Sequence, residues 1–99
     1  MKQLLVNAEK AETYLKLLAN KNRLMILCNL VAGERSVSQL NDEIPLAQSA
    51  LSQHLATLRN ADMVSTRRDA QTIYYALADD DAKQILQQLY CMFCEAKKS

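Results

Sequence analysis

The chain has 99 residues, enough for one domain with a modest core and little to spare. Apolar residues make up 49% and charged residues 23%, ordinary values for a soluble globular protein. No apolar run approaches the roughly 18 residues that span a bilayer, and no basic-then-apolar leader precedes a cleavage site, so no membrane partner and a cytoplasmic location are expected. Twelve basic against eleven acidic residues leave a net charge of +1. Nucleic-acid binding would therefore rest on local charge placement and on doubling through a dimer, because the chain as a whole is not strongly basic. The single glycine and single proline predict mostly helix with tight joints. Three cysteines, Cys28, Cys91 and Cys94, are an odd count, which argues against a secreted disulfide framework and for thiols in a reducing compartment.

From about Asn7 to Ala19, the spacing of Ala8, Ala11, Leu15 and Leu18 predicts an amphipathic helix, its apolar side extended by Leu4 and Leu5. Its alanines permit close approach of another helix, either within the chain or across a dimer seam. Asn20 offers an N-cap to a second helix, with Leu24, Leu27, Cys28 and Val31 on one face and Gly33 placed as its left-handed stop. Cys28 thus sits on or beside an apolar face, where an inert core thiol is one reading. Ser36 can cap a short third helix carrying Val37, Leu40 and Ile44 and ended by Pro45, because the residue before proline resists helical geometry. A fourth helix runs from about Ala47 to Asn60, although Ala47 stands where Ser, Thr or Asp would satisfy an orphan N–H.

This fourth helix has two unlike sides. Leu51, Leu55 and Leu58 form a stripe that must face a core, whereas Ser49, Ser52, Gln53 and Ala56 lie opposite and carry no charge. Short hydroxyl and amide groups on an exposed helix suit close approach to base edges in a major groove. A half-buried helix of a bundle would show the same leucines. The next segment of the chain weighs against a bundle: VSTRR and IYYAL are rich in β-branched and aromatic residues, and the linking DAQT is polar. The pattern predicts a two-stranded hairpin with Arg67, Arg68 and Gln71 at or near its tip. These groups can meet phosphates on either side of a groove, or simply be solvated. The last helix begins at the acidic run Asp79–Asp81, which favours a helix N-terminus. Ala82, Ile85, Leu86, Leu89 and Phe93 make its stripe, and Lys97 and Lys98 complement its far end. Tyr90 and Cys94 lie along one edge of that stripe and Cys91 on the other side, the two thiols of CMFC facing about 60° apart. The expected fold is mainly α with a small β-hairpin: a winged helix-turn-helix of five helices and a two-stranded wing, one domain over residues 1–99.

The segments ALANKNRLMILCNL, QSALSQHLATLRNADMV and RRDAQTIYYAL resemble the ArsR-type (ArsR/SmtB) family of dimeric bacterial transcriptional repressors, over about residues 8 to 94. The resemblance implies that the fourth helix reads double-stranded, near-palindromic operator DNA, that the hairpin is the wing, and that the first and last helices form a homodimer. It makes Gln48, Ser49, Ser52, Gln53 and His54 candidate DNA contacts from the helix, and Arg67, Arg68 and Gln71 candidates from the wing. His54 abuts the leucine stripe, so a structural or phosphate-positioning role stands beside base reading. Two metal sites of the family are absent from this sequence. Ser36-Val37-Ser38 replaces the Cys-x-Cys of the arsenic and cadmium branch, and hydroxyls do not replace thiolates for soft metals. The last helix lacks the histidines of the zinc and nickel branch, His54 being the chain's single histidine. No metal and no cofactor are expected.

Cys28 and Cys94 match the pair of the sulfide- and persulfide-sensing branch (BigR-, SqrR- and HlyU-like proteins), whose wing tip also reads AQT; Cys91 is an addition. The implied function is not enzymatic. It is a repressor whose two reading helices sit one DNA turn apart (~34 Å) and which lets go when reactive sulfur species or another oxidant links Cys28 to Cys94. Two alternatives use the same cysteines. One is a metal-responsive repressor with Cys28, Cys91 and Cys94 as thiolate ligands. The other is a thiol–disulfide oxidoreductase acting through Cys91 and Cys94, which would lack the usual strand-then-helix context and helix-N-terminal thiol. A dimerisation module without DNA is the third possibility.

Overall fold

The computed structural model describes residues 2–93; Cys94, Lys97, Lys98 and the side chain of Cys91 lie outside the described part. The elements in order are α1 (Lys2–Leu18), α2 (Lys21–Val31), β1 (Arg35–Ser36), α3 (Val37–Glu43), α4 (Gln48–Asn60), β2 (Val64–Asp69), β3 (Thr72–Leu77) and α5 (Asp80–Phe93). This is the expected winged helix-turn-helix.

The joints follow from local chemistry. Asn20 caps α2, its side-chain oxygen accepting from the N–H groups of Asn22 and Arg23 at 3.0 and 3.1 Å. Arg23 then reaches back, its guanidinium donating to the carbonyls of Leu17 at 2.7 Å and Lys16 at 3.0 Å, which satisfies orphan acceptors at the end of α1. Gly33 follows α2 with φ 146°, and a Cβ built there would meet nothing within 4 Å, so the backbone conformation and not space favours glycine. Ser36 and Gln39 form a reciprocal capping box at the start of α3. Ile44 is extended before Pro45, as expected, and α4 opens at Ala47 without a side-chain cap. At the far end of α4 the N–H of Met63 bonds to the carbonyl of Leu58 and that of Asp62 to Arg59, both at 3.0 Å. This is a Schellman stop, with Asp62 at φ 61° where glycine is usual and with Met63 and Leu58 both buried.

The sheet has three antiparallel strands in the order β1-β3-β2, one more than the two expected. The extra strand is only Arg35 and Ser36, paired with Tyr75 and Tyr74, too short to leave a period in the sequence. The hairpin runs in register from Val64 opposite Leu77 to Asp69 opposite Thr72, around the two residues Ala70 and Gln71. Ala70 takes φ 58°.

The core joins Ile26, Leu27 and Leu30 of α2, Leu40 and Ile44, the Leu51/Leu55/Leu58 stripe of α4, Met63, Val64, and Ala82 and Leu86 of α5. Each fully buried large side chain contributes about 1.5–3 kcal/mol relative to exposure. Helix α2 packs against α4, β3 and α5, so it sits at the hub. Three expectations need correction. The buried face of α2 is Ile26, Leu27 and Leu30, which rotates Cys28 out to an exposed position. Phe93 is 61% exposed instead of completing the α5 stripe. Helix α1 starts at Lys2 and buries only Leu18, leaving Leu4, Leu5 and Leu15 exposed at 69%, 61% and 56%. Among the described residues no helix is long and apolar enough to cross a membrane.

Candidate nucleic-acid interface

The leucine stripe seats α4 in the core and so turns its other side outward. Gln48, Ser49, Ser52, Gln53 and Ala56 are all exposed, and His54 is half-buried beside the stripe. No acidic residue occurs in α4, and its basic residue, Arg59, sits in the last turn. The outward face can therefore approach a base edge without burying a charge, and each amide can donate and accept at once.

Helix α3, the first half of α4 and the hairpin enclose an open groove of about 600 Å³. Gln48 and Ser52 of α4, Gln71, Thr72, Ile73 and Tyr75 of the hairpin, and Ser38, Asn41 and Asp42 of α3 line it. The structure thus brings Gln71 of the hairpin loop and Gln48 and Ser52 of α4 to one cleft. Asn41 is not among the expected site residues. Its Oδ1 is buried and has no hydrogen-bond partner among the described residues.

The two wing arginines point to opposite faces of the hairpin. Successive side chains of a strand point to opposite faces, so Arg67 shares a face with its cross-strand partner Tyr74, and Arg68 with Ile73 and Tyr75. Arg68 is exposed and shares its face with Ile73 and Tyr75, two of the groove's lining residues, without itself lining the groove. Arg67 is already engaged. Its Nε and NH2 groups donate to the two carboxylate oxygens of Glu34 at 3.2 and 2.5 Å, and its guanidinium lies 4.6 Å from the centre of the Tyr74 ring. The hydrogen bond from Arg67 holds the Glu34 carboxyl below the usual range, and Glu34 in turn raises the arginine. Glu34 and Arg67 are 33 positions apart, so no local pattern in the sequence could have paired them.

A second polar link fixes the arms of the molecule. The Tyr14 hydroxyl donates to Asp79 Oδ2 at 3.1 Å, while Asp79 Oδ1 accepts from the Asp81 N–H and caps α5. Burial, reinforced by the hydrogen bond to Asp79, pushes the Tyr14 phenol up to about 12. Among the described residues no group of three or more His, Cys, Asp or Glu side chains is placed to hold a metal.

Comparison with known proteins agrees with this geometry. The family described as "Bacterial regulatory protein, arsR family" matches residues 20–66, from the α2 cap to the middle of β2. The transcriptional activator HlyU of Vibrio cholerae is 45% identical over 93% of this chain and 85% of its own length. The biofilm growth-associated repressor of Agrobacterium fabrum is 41% identical over 93% and 79% respectively. The solved structure of reduced HlyU from Vibrio cholerae superposes with a TM-score of 0.90 at 42% identity, covering 95% of this chain and 99% of that one. These relatives are transcriptional regulators and not enzymes. With the reading helix, the wing and nearly the whole chain matched, this protein belongs to the arsR family of bacterial regulatory proteins.

Proposed function

We propose that the chain, a single winged helix-turn-helix unit over residues 1–99, works in the cytoplasm as a homodimeric repressor whose grip on a near-palindromic operator is weakened by sulfur chemistry at Cys28 and Cys94. That it is a DNA-binding transcriptional regulator follows from its family. The observation that supports the operator contacts is the uncharged outward face of α4 across the groove from the wing. Gln48, Ser49, Ser52 and Gln53 read base edges, His54 stands at the border of the buried stripe, and Arg68 and Gln71 of the wing meet the backbone. The exposed apolar faces of α1 and α5, with Leu4, Leu5 and Leu15 on one and Tyr90, Met92 and Phe93 on the other, support pairing with a second copy.

For the switch, the support is the exposure of Cys28 on the hub helix α2. One thiol takes the outer sulfur of a persulfide, RSSH, and RSH leaves; the other thiol attacks the resulting Cys–SSH and hydrogen sulfide leaves, so that both cysteines end oxidised in one disulfide. A peroxide reaches the same bridge through a sulfenic acid, with two waters released. A bridge from Cys28 to Cys94 pulls on α2, a helix that packs directly on α4. A coupling of about 1–3 kcal/mol, or 5–150-fold in affinity, is typical of such switches. The oxidoreductase alternative through Cys91 and Cys94 is set aside by the relatives, which are transcriptional regulators, and Cys91 falls in the last turn of α5, whereas activated thiolates favour helix N-termini.

The test is binding to a duplex obtained by in vitro selection, before and after a persulfide donor, on wild type and on Cys28→Ser, Cys91→Ser and Cys94→Ser. Loss of the response in the first and third variants, with Cys91→Ser still responsive, fits the proposal. A response that survives Cys28→Ser, or one abolished only by Cys91→Ser, refutes the assigned pair. Tight zinc or arsenite binding by the reduced chain would favour the three-thiolate alternative instead.

A further inference from the structure

We infer that Glu34 and Arg67 form a positioning clamp for the wing, and that of the two wing arginines only Arg68 is left to contact phosphate. This rests on the DNA-binding reading and assigns roles within it. Three observations carry it. Arg67 makes a two-pronged contact with Glu34 at 3.2 and 2.5 Å while lying over Tyr74, so two of its nitrogens and one face of its guanidinium are in use. Glu34 follows Gly33 directly and precedes β1, whose Arg35 and Ser36 are already hydrogen-bonded to β3. The clamp therefore ties the outermost strand, β2, to the segment beyond β1, bracing the sheet across its full width. Finally, the register sends Arg68 to the other face, beside Ile73 and Tyr75 of the groove.

The arrangement solves a mechanical problem. A two-stranded ribbon that projects into solvent is free to twist, and a phosphate contact at its tip loses value if the tip wanders. A side chain drawn back onto the ribbon's root restrains that twist. Turning Arg67 toward a phosphate would draw its Nε and terminal nitrogen off Glu34 and leave that carboxylate without its paired charge. Glu34 also stands just beyond the end of α2, so displacement of that helix reaches the wing through the same pair.

The experiment exchanges the two charges. Wild type, Glu34→Arg, Arg67→Glu, the double exchange Glu34→Arg/Arg67→Glu, and Arg68→Ala are compared for binding to the in vitro selected duplex between about 50 and 200 mM salt. The exchange keeps the net charge, so a bulk electrostatic effect cancels. Each single reversal is expected to weaken binding by about three- to fivefold or more, and the double exchange to recover affinity and salt slope to within about twofold of wild type. Arg68→Ala is expected to make the slope of log K against log salt shallower by about 1. If Arg67 instead touches phosphate, the double exchange places a carboxylate on the backbone, stays weak, and shows a shallower slope; that result overturns the inference. So does an Arg68→Ala variant with wild-type affinity and slope. A wild-type chain that binds no duplex in a salt-dependent way refutes the DNA-binding reading itself, a result separable from failure of the exchange alone.

Discussion

The centre of this molecule and its two end helices carry similar leucine spacings with opposite fates. In α2, α3 and α4 the apolar side chains meet one another: Ile26, Leu27, Leu40, Leu51 and Leu58 have no solvent exposure at all. In α1 and the end of α5 most of them do not, and Leu4, Leu15, Met92 and Phe93 are each more than half exposed. A periodic stripe says only that a helix has an apolar side. Whether the cover comes from the same chain or from a second copy is decided by three-dimensional arrangement, and here the end helices carry the exposed stripes.

That contrast can be broken at either side. Leu55→Ala removes a buried side chain from the α4 stripe and should cost about 2–5 kcal/mol, visible as a large drop in the urea midpoint. Leu15→Glu, on the exposed side of α1, should cost the isolated fold less than about 0.5 kcal/mol. In the proposed dimer it should abolish the dependence of melting temperature on protein concentration and yield monomers in sedimentation. If Leu15→Glu sediments as wild type, α1 is not part of the seam.

Smaller effects sharpen the comparison. Tyr14→Phe removes the hydroxyl that links α1 to Asp79 and should cost about 1 kcal/mol at neutral pH. The sign with pH is set by the raised phenol. Its contribution is fully present below the ordinary tyrosine value near 10 and is lost as pH rises through about 12. Wild type should therefore lose stability over that alkaline window relative to Tyr14→Phe, as followed by melts of both proteins; parallel profiles would remove the Tyr14–Asp79 link from the account. Ala70→Gly relieves a positive φ at the hairpin loop and should gain about 0.5–1 kcal/mol, read as a higher melting temperature.

Much of this was legible in the residues because the signals are local. The i, i+4, i+7 leucines of α4, the Asn20 and Ser36 caps, the proline stop and the β-branched hairpin each need only a few neighbouring positions. Helix α2 is harder, because Leu24, Met25, Ile26, Leu27, Leu30 and Val31 surround most of its axis, so periodicity alone does not fix which side is buried. That is why the pattern puts Cys28 against an apolar face while the fold leaves it exposed. The third strand is two residues long, one of which also caps a helix. The Glu34–Arg67 clamp depends on a loop meeting a strand far along the chain, and the alternation that separates Arg67 from Arg68 acquires meaning only once a groove exists on one face.

The sensing claim is tested most directly by peptide mapping of the reduced chain after treatment with a persulfide donor and alkylation. The account predicts a linked pair of peptides containing Cys28 and Cys94, with mass corresponding to a disulfide or a longer sulfur chain, and Cys91 recovered alkylated. A link between Cys91 and Cys94, or recovery of Cys28 as the alkylated thiol after full treatment, would contradict it.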